Sequence, residues 1–197
     1  MANTSSTGGV LQPADAPAPD EDASLDAIVQ KLVASISALP GALVRPRWQP
    51  NPPKQPEPSV TWCAVSVMTQ TGDNAPYIKH NSGGEGSDSY STHEEIEALA
   101  TFYGPQGQKA AAALRDGLRI PQNIEQLTAL AMAFVDTGPI RPVPEFVNQQ
   151  WIRRFDIQIN LRRKVSRLYT VQNVKLADIH LFDDTHIDEI IHVPPAP

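Results

Sequence analysis

The side chains able to do chemistry are few, and their spacing argues against a reaction centre. Five histidines (His80, His93, His180, His186 and His192) and a single cysteine, Cys63, show no zinc-ligand spacing, and no His-Glu-x-x-His pair is present. His180, Asp183, Asp184 and His186 cluster and include metal-ligand types, but an exposed acidic arm has the same composition, and the arm is the preferred reading. Gly83-Gly84-Glu85-Gly86 has the glycine density of a phosphate loop, yet the following Lys-Ser/Thr and a presenting helix are missing; it reads as a flexible loop. Glu94, Glu95 and Glu97 lie on a predicted strand, where neighbours face opposite sides, a poor geometry for a matched acid and base. Cys63, between Trp62 and Ala64-Val65, reads as a buried core thiol with no adjacent base to activate it. There is no Gly-x-Ser-x-Gly elbow. The expectation is a protein without catalytic residues, cofactor or metal.

The one strong pattern serves docking. From Trp151 to Tyr169, Phe155, Ile157, Ile159 and Leu161 alternate with Asp156, Gln158 and Asn160, the period of two of a strand with one buried and one wet face. Charge frames this strand: Arg153 and Arg154 precede it, and Arg162, Arg163, Lys164 and Arg167 follow. Six of the sixteen basic residues therefore sit on about twenty positions of a chain whose net charge is -6. These six are the candidate subunit or partner interface. Residues 1–30 carry five acids and no Lys or Arg, and residues 171–197 carry five acids and one Lys. Alternating blocks of this kind suit contacts between copies or neighbours in an assembly, and equally a plain solvated surface. The negative total argues against a surface that coats nucleic acid.

Elements to position that strand can be read along the chain. Residues 1–23, poor in large apolar side chains, read as a disordered acidic arm. Ser24 is placed as the N-cap of a helix from Leu25 to about Ala38, whose stripe is Leu25, Ile28, Val29, Leu32, Val33 and Ile36; Pro40-Gly41 ends it. Six prolines in 45–58 predict an extended connector across the domain, anchored by Trp48, in preference to a ligand for a proline-recognition module. Strands follow at 61–69 and 93–103, with a long loop or distorted hairpin over 72–91 between them. Gly104-Pro105 opens a helix to about Leu118, and Pro121 restarts a short helix through Ile124, Leu127, Leu130 and Ala131. A strand at 132–136, a turn or single helical turn at 142–147, the basic strand, and a last strand at 171–182 pairing with it complete the order. This is an α+β fold: an antiparallel sheet with two or three helices packed on it. The predicted organisation is an arm at 1–23, one domain at 24–182 and an acidic, Pro-rich C-terminal arm at 183–197. No run approaches the roughly 20 apolar residues of a spanning helix, and no basic or apolar leader precedes Lys31. The lone cysteine fits a reducing compartment.

Four segments together resemble a family of tailed-bacteriophage neck proteins, the neck or tail terminator group of contractile-tailed phages and prophages. They are Arg47-Trp48-Gln49-Pro50 with the prolines after it; Trp62-Cys63-Ala64; Thr101-Phe102-Tyr103-Gly104-Pro105 running into Leu114-Arg115-Asp116-Gly117-Leu118-Arg119-Ile120-Pro121-Gln122-Asn123; and Trp151-Ile152-Arg153-Arg154-Phe155-Asp156. The likeness spans roughly residues 40–175.

The resemblance implies a structural virion protein at the neck, at the top of the tail, assembled in the host cytoplasm. Such proteins form a homo-oligomeric ring, usually a hexamer, that terminates the tail tube and joins it to the head-side connector. The implied partners are copies of itself, tail tube protein, connector or adaptor proteins, sheath protein, and genomic DNA passing through the lumen; no membrane is involved. Two other readings stand beside it: another head–tail connector or head-completion adaptor, and a DNA-binding accessory protein using residues 151–167.

Overall fold

A computed structural model describes residues 3, 5–14, 19–147, 149–173, 177–182 and 187–193. The elements run α1 (Asp22–Ser37), β1 (Val44–Pro46), β2 (Trp62–Gly72), β3 (Tyr77–Asn81) and β4 (Ser87–Tyr103), then α2 (Gly107–Gly117) and α3 (Pro121–Thr128). They continue with β5 (Met132–Thr137), β6 (Arg141–Pro142), β7 (Glu145–Val147), β8 (Gln150–Ile152), β9 (Arg154–Tyr169), β10 (Ala177–Phe182) and β11 (Ile187–Val193). The fold is the expected α+β: helices and a mostly antiparallel sheet, with strand order β1-β2-β4-β9-β5, β3 added to β4 and β6 to β9. By contacts the chain falls into two compact units: residues 19–75 with 92–165, and residues 1–18 with 76–91 and 166–197.

The larger unit holds the core. Leu25, Val29, Leu32 and Val33 of α1 are essentially inaccessible to water, as the helical stripe predicts. They meet Val65, Ile96, Ala98, Ala100 and Phe102 of the sheet, Ile157, Ile159 and Leu161 of β9, and Ala111 and Leu114 of α2 in one cluster. Each large aliphatic side chain buried in this way contributes about 1.5–3 kcal/mol. Because the apolar residues of β4 and β9 alternate, only one sheet face takes part. The other face carries a polar row in which Gln158 donates to Asn160 at 2.9 Å and Asn160 donates to Asp136.

Gly104 turns the chain from β4 toward α2. Its φ of +91° lies in the left-handed region, and a Cβ there would fall 2.4 Å from the Val60 carbonyl oxygen. Gly104-Pro105 therefore forms a turn ahead of the helix and does not open it; the helix starts at Gly107.

Several expectations are corrected. Ser24 is not the N-cap: the helix begins at Asp22, and the Ser24 hydroxyl donates back to the Glu21 carbonyl at 2.7 Å. Just ahead of the helix, Arg163 donates to the carbonyl of Asp20. Trp48 does not anchor the proline-rich connector, being 65% exposed. Arg45 does so, donating to the Lys54 carbonyl at 2.8 Å while its guanidinium lies over Trp62. Arg47 assists through Thr101 at 2.6 Å. The segment 142–147 is neither a turn nor a helical turn; Glu145–Val147 pairs antiparallel with Gln150–Ile152, so the basic strand is broken at Arg153 into β8 and β9.

In the smaller unit, β3 and the start of β4 form the hairpin that was one of two readings of 72–91. The last strand does not pair with β9: β10 pairs with β11 as a separate ribbon. Of the predicted arms, residues 1, 2, 4 and 15–18 and residues 183–186 and 194–197 lie outside the described residues.

Candidate subunit interface

The pleat of β9 divides the basic cluster. Ile157, Ile159, Leu161, Arg163 and Val165 turn to the core face, and Arg162 and Lys164 to the wet face. Arg163 is 4% exposed. Its Nε donates to Glu94 Oε2 at 3.0 Å and its Nη1 to the Asp20 carbonyl. Nη2 is also 3.0 Å from that carboxylate oxygen but is turned away from a hydrogen bond. This arginine ties the entry of α1 to β4 and β9, so its charge is internal.

Arg154 is likewise engaged. Its Nε and Nη2 form a fork on Asp156, at 2.9 and 2.8 Å, and Nη1 donates to Glu145. The Asp156 hydrogen bonds, opposed by burial and reinforced by Glu145, hold the guanidinium more firmly protonated than usual. The same group fastens β7 to β9. Tyr103 lies beside it, and its hydroxyl is pushed above the ordinary tyrosine value by burial and then by the Glu145 charge.

The remaining cations are outward. Arg162 makes a 3.0 Å ion pair with Asp73, half-exposed on both sides. Arg153 and Lys164 are exposed and make no ion pair among the described residues, and Arg167, in the smaller unit, is half-buried. The six basic residues thus do not share one face: two brace the fold and the others are open to contact in different degrees.

The residues expected to be inert occupy the following places. Cys63 is fully buried; loss of hydration pushes its thiol far up, outweighing the opposing charge of Arg47. Glu94 serves Arg163, Glu97 accepts from Thr69 at 3.0 Å, and Glu95 is exposed. The glycine loop 83–86 joins β3 to β4 in the smaller unit, where Asn173 donates to the Ser82 carbonyl at 2.6 Å. His80 is held there between Asp88 and Asn173, at 2.6 and 2.7 Å, while His93 of the larger unit sits 3.9 Å from Asp73. Asp183, Asp184 and His186 of the histidine–aspartate cluster lie outside the described residues. Arg115 and Asp116, adjacent in sequence, form an exposed ion pair at 2.9 Å.

Sequence reasoning missed the aromatic surface of the β7–β8 ribbon. Phe146 and Trp151 are opposite each other in register, 5.1 Å apart between ring centroids, and 60% and 70% exposed. The only signal was the strand-forming type of Phe146, Val147, Trp151 and Ile152, and three prolines in 139–144 suggested a turn.

The model of one protein family, described as phage neck terminator protein, matches residues 23–185. No curated protein matches the chain. Among the described residues no helix is long and apolar enough to cross a membrane. The matched span takes in all but the first residue of α1, the sheet and the divided basic strand, and the chain belongs to the family of phage neck terminator proteins, structural proteins of the virion neck.

Proposed function

We propose that the chain forms a homo-oligomeric ring, a hexamer, at the top of the tail, where it terminates the tail tube and joins the tail to the head-side connector. The match over residues 23–185 carries this reading. Its physical support is the uneven surface: exposed Arg153, Arg162 and Lys164 on and beside β9, against acidic residues 19–26 and the acidic segment after residue 176. Complementary patches on different surfaces of one subunit are what a head-to-tail ring requires. In this reading Arg153, Arg162, Lys164 and Arg167 meet protein neighbours, whereas Arg154 and Arg163 maintain the surface that carries them. The terminal segments 1–23 and 183–197 act as arms on adjoining subunits, tube protein, sheath or connector, and genomic DNA passes through the lumen.

The DNA-binding alternative loses ground because two of its six cations are occupied internally. Deleting the gene, inducing the phage and imaging the lysate by negative-stain electron microscopy tests the function. Tails of abnormal length, or finished tails unattached beside filled heads, are expected. Normal infectious particles would exclude a terminator role.

A further inference from the structure

The β7–β8 ribbon has two faces with opposite characters. In antiparallel register Phe146 faces Trp151, while Glu145 faces Ile152. Strand neighbours point to opposite sides. One side of the ribbon therefore displays the Phe146–Trp151 pair. The other side, through Gln150 and Ile152, lines a cleft of about 180 Å³.

The cleft has an aromatic lining. Trp62 and Tyr103 contribute a stacked pair, 4.5 Å between centroids and 12° between planes, and both are half-buried. Pro56, Pro58 and Lys54 also line it. A volume of about 150 Å³ accommodates a benzene ring, so this cleft has room for one six-membered aromatic ring, with the remainder of a larger side chain outside it. The Trp62–Tyr103 pair offers it the offset or edge contacts that aromatic rings favour. Nor is the knob a passive surface feature: Trp and Arg dominate energetic centres of interfaces, and exposed Arg141 and Arg153 flank the ribbon.

We propose that Trp151, supported by Phe146, seats in the Trp62–Tyr103 cleft of a second copy of this chain. A knob and a cleft placed back to back on one ribbon cannot satisfy each other within a subunit. Across subunits they give a contact in which one surface meets a different one, and repetition of that contact continues in one direction until it closes. Charge favours the same occupant: Arg153 beside the knob would approach Glu57, an exposed carboxylate that lines the cleft and pairs with the solvent-exposed Lys54 at 3.1 Å. The seating presupposes the ring proposed above and names the contact that builds it.

The test uses the full chain with the photo-reactive amino acid p-benzoylphenylalanine in place of Trp151, which keeps an aromatic knob. Isotopically heavy and light copies are mixed, irradiated and digested, and the cross-links mapped by mass spectrometry. Links from position 151 of one copy to residues 54–62 of a differently labelled copy are expected. In parallel, Trp151→Ser should raise the concentration for half-association at least about tenfold, with an unchanged far-ultraviolet circular dichroism spectrum. Association in light scattering with links confined to other segments would overturn the knob-and-cleft contact and leave the ring. A chain that stays monomeric at every concentration, without links, would contradict the ring and this contact together.

Discussion

Arg162 and Arg163 are neighbours in sequence, but β9 sends one to water and the other into the protein. Their substitutions should differ accordingly. Arg163→Ala leaves Glu94 without its partner in a largely buried place and should cost about 3–5 kcal/mol. Arg162→Ala removes a half-exposed pair and should cost no more than about 1 kcal/mol. Urea unfolding of the two variants measures both, and equal losses would mean that the burial of Arg163 is not what stabilises it. His80 makes a pH prediction. The hydrogen bond to Asp88, then that to Asn173, raises its pKa above the ordinary 6.5. Asn173 orients its amide by donating to the Ser82 carbonyl, so its oxygen faces the ring and favours the imidazolium. The stabilisation from His80 should thus be complete below the ordinary pKa and fade as pH rises through the raised one. Nuclear magnetic resonance titration should find His80 above its value in Asp88→Asn; coincident titrations would remove the pair as the cause.

At the scale of elements, the core was legible and the edges were not. The α1 stripe and the alternation of Phe155, Ile157, Ile159 and Leu161 with polar residues announced which faces meet, because burial imposes those periods directly; in β4 Leu99 interrupts the alternation of Ile96, Ala98, Ala100 and Phe102. Arg163 broke that logic: its position in the alternation is inward, yet an arginine in a basic run reads as surface until its partner Glu94, far away in sequence, is known. The β7–β8 ribbon was hidden because prolines before it mimic a turn, and the β10–β11 pairing because an apolar strand does not name its neighbour. Gly104 was readable, since strand, Gly and Pro in sequence demand a sharp turn. Gly104→Ala should destabilise the protein by more than the roughly 1 kcal/mol typical of a left-handed residue, because its Cβ would strike the Val60 carbonyl as well. Thermal denaturation checks this, and a melting temperature equal to wild type would contradict the close approach. Within the core, Leu32→Ala should cost about 2–5 kcal/mol in the same assay.

The whole molecule is an acidic chain with one wet sheet face, a divided basic strand and an aromatic ribbon, and it belongs to a family of neck proteins. If complementary charge aids its association, Arg162→Glu with Lys164→Glu should weaken assembly while leaving the fold intact. Wild-type association should also weaken as salt shortens the Debye length below about 10 Å. Sedimentation velocity across a salt series reads both effects, and salt-independent assembly would assign the contact to apolar groups alone. The most direct test of the central claim is the position of the protein in the particle. Gold-labelled antibody against the chain, imaged on purified virions, should mark one site at the head–tail junction. Label distributed along the tail, or none on intact or disrupted particles, would contradict a neck terminator.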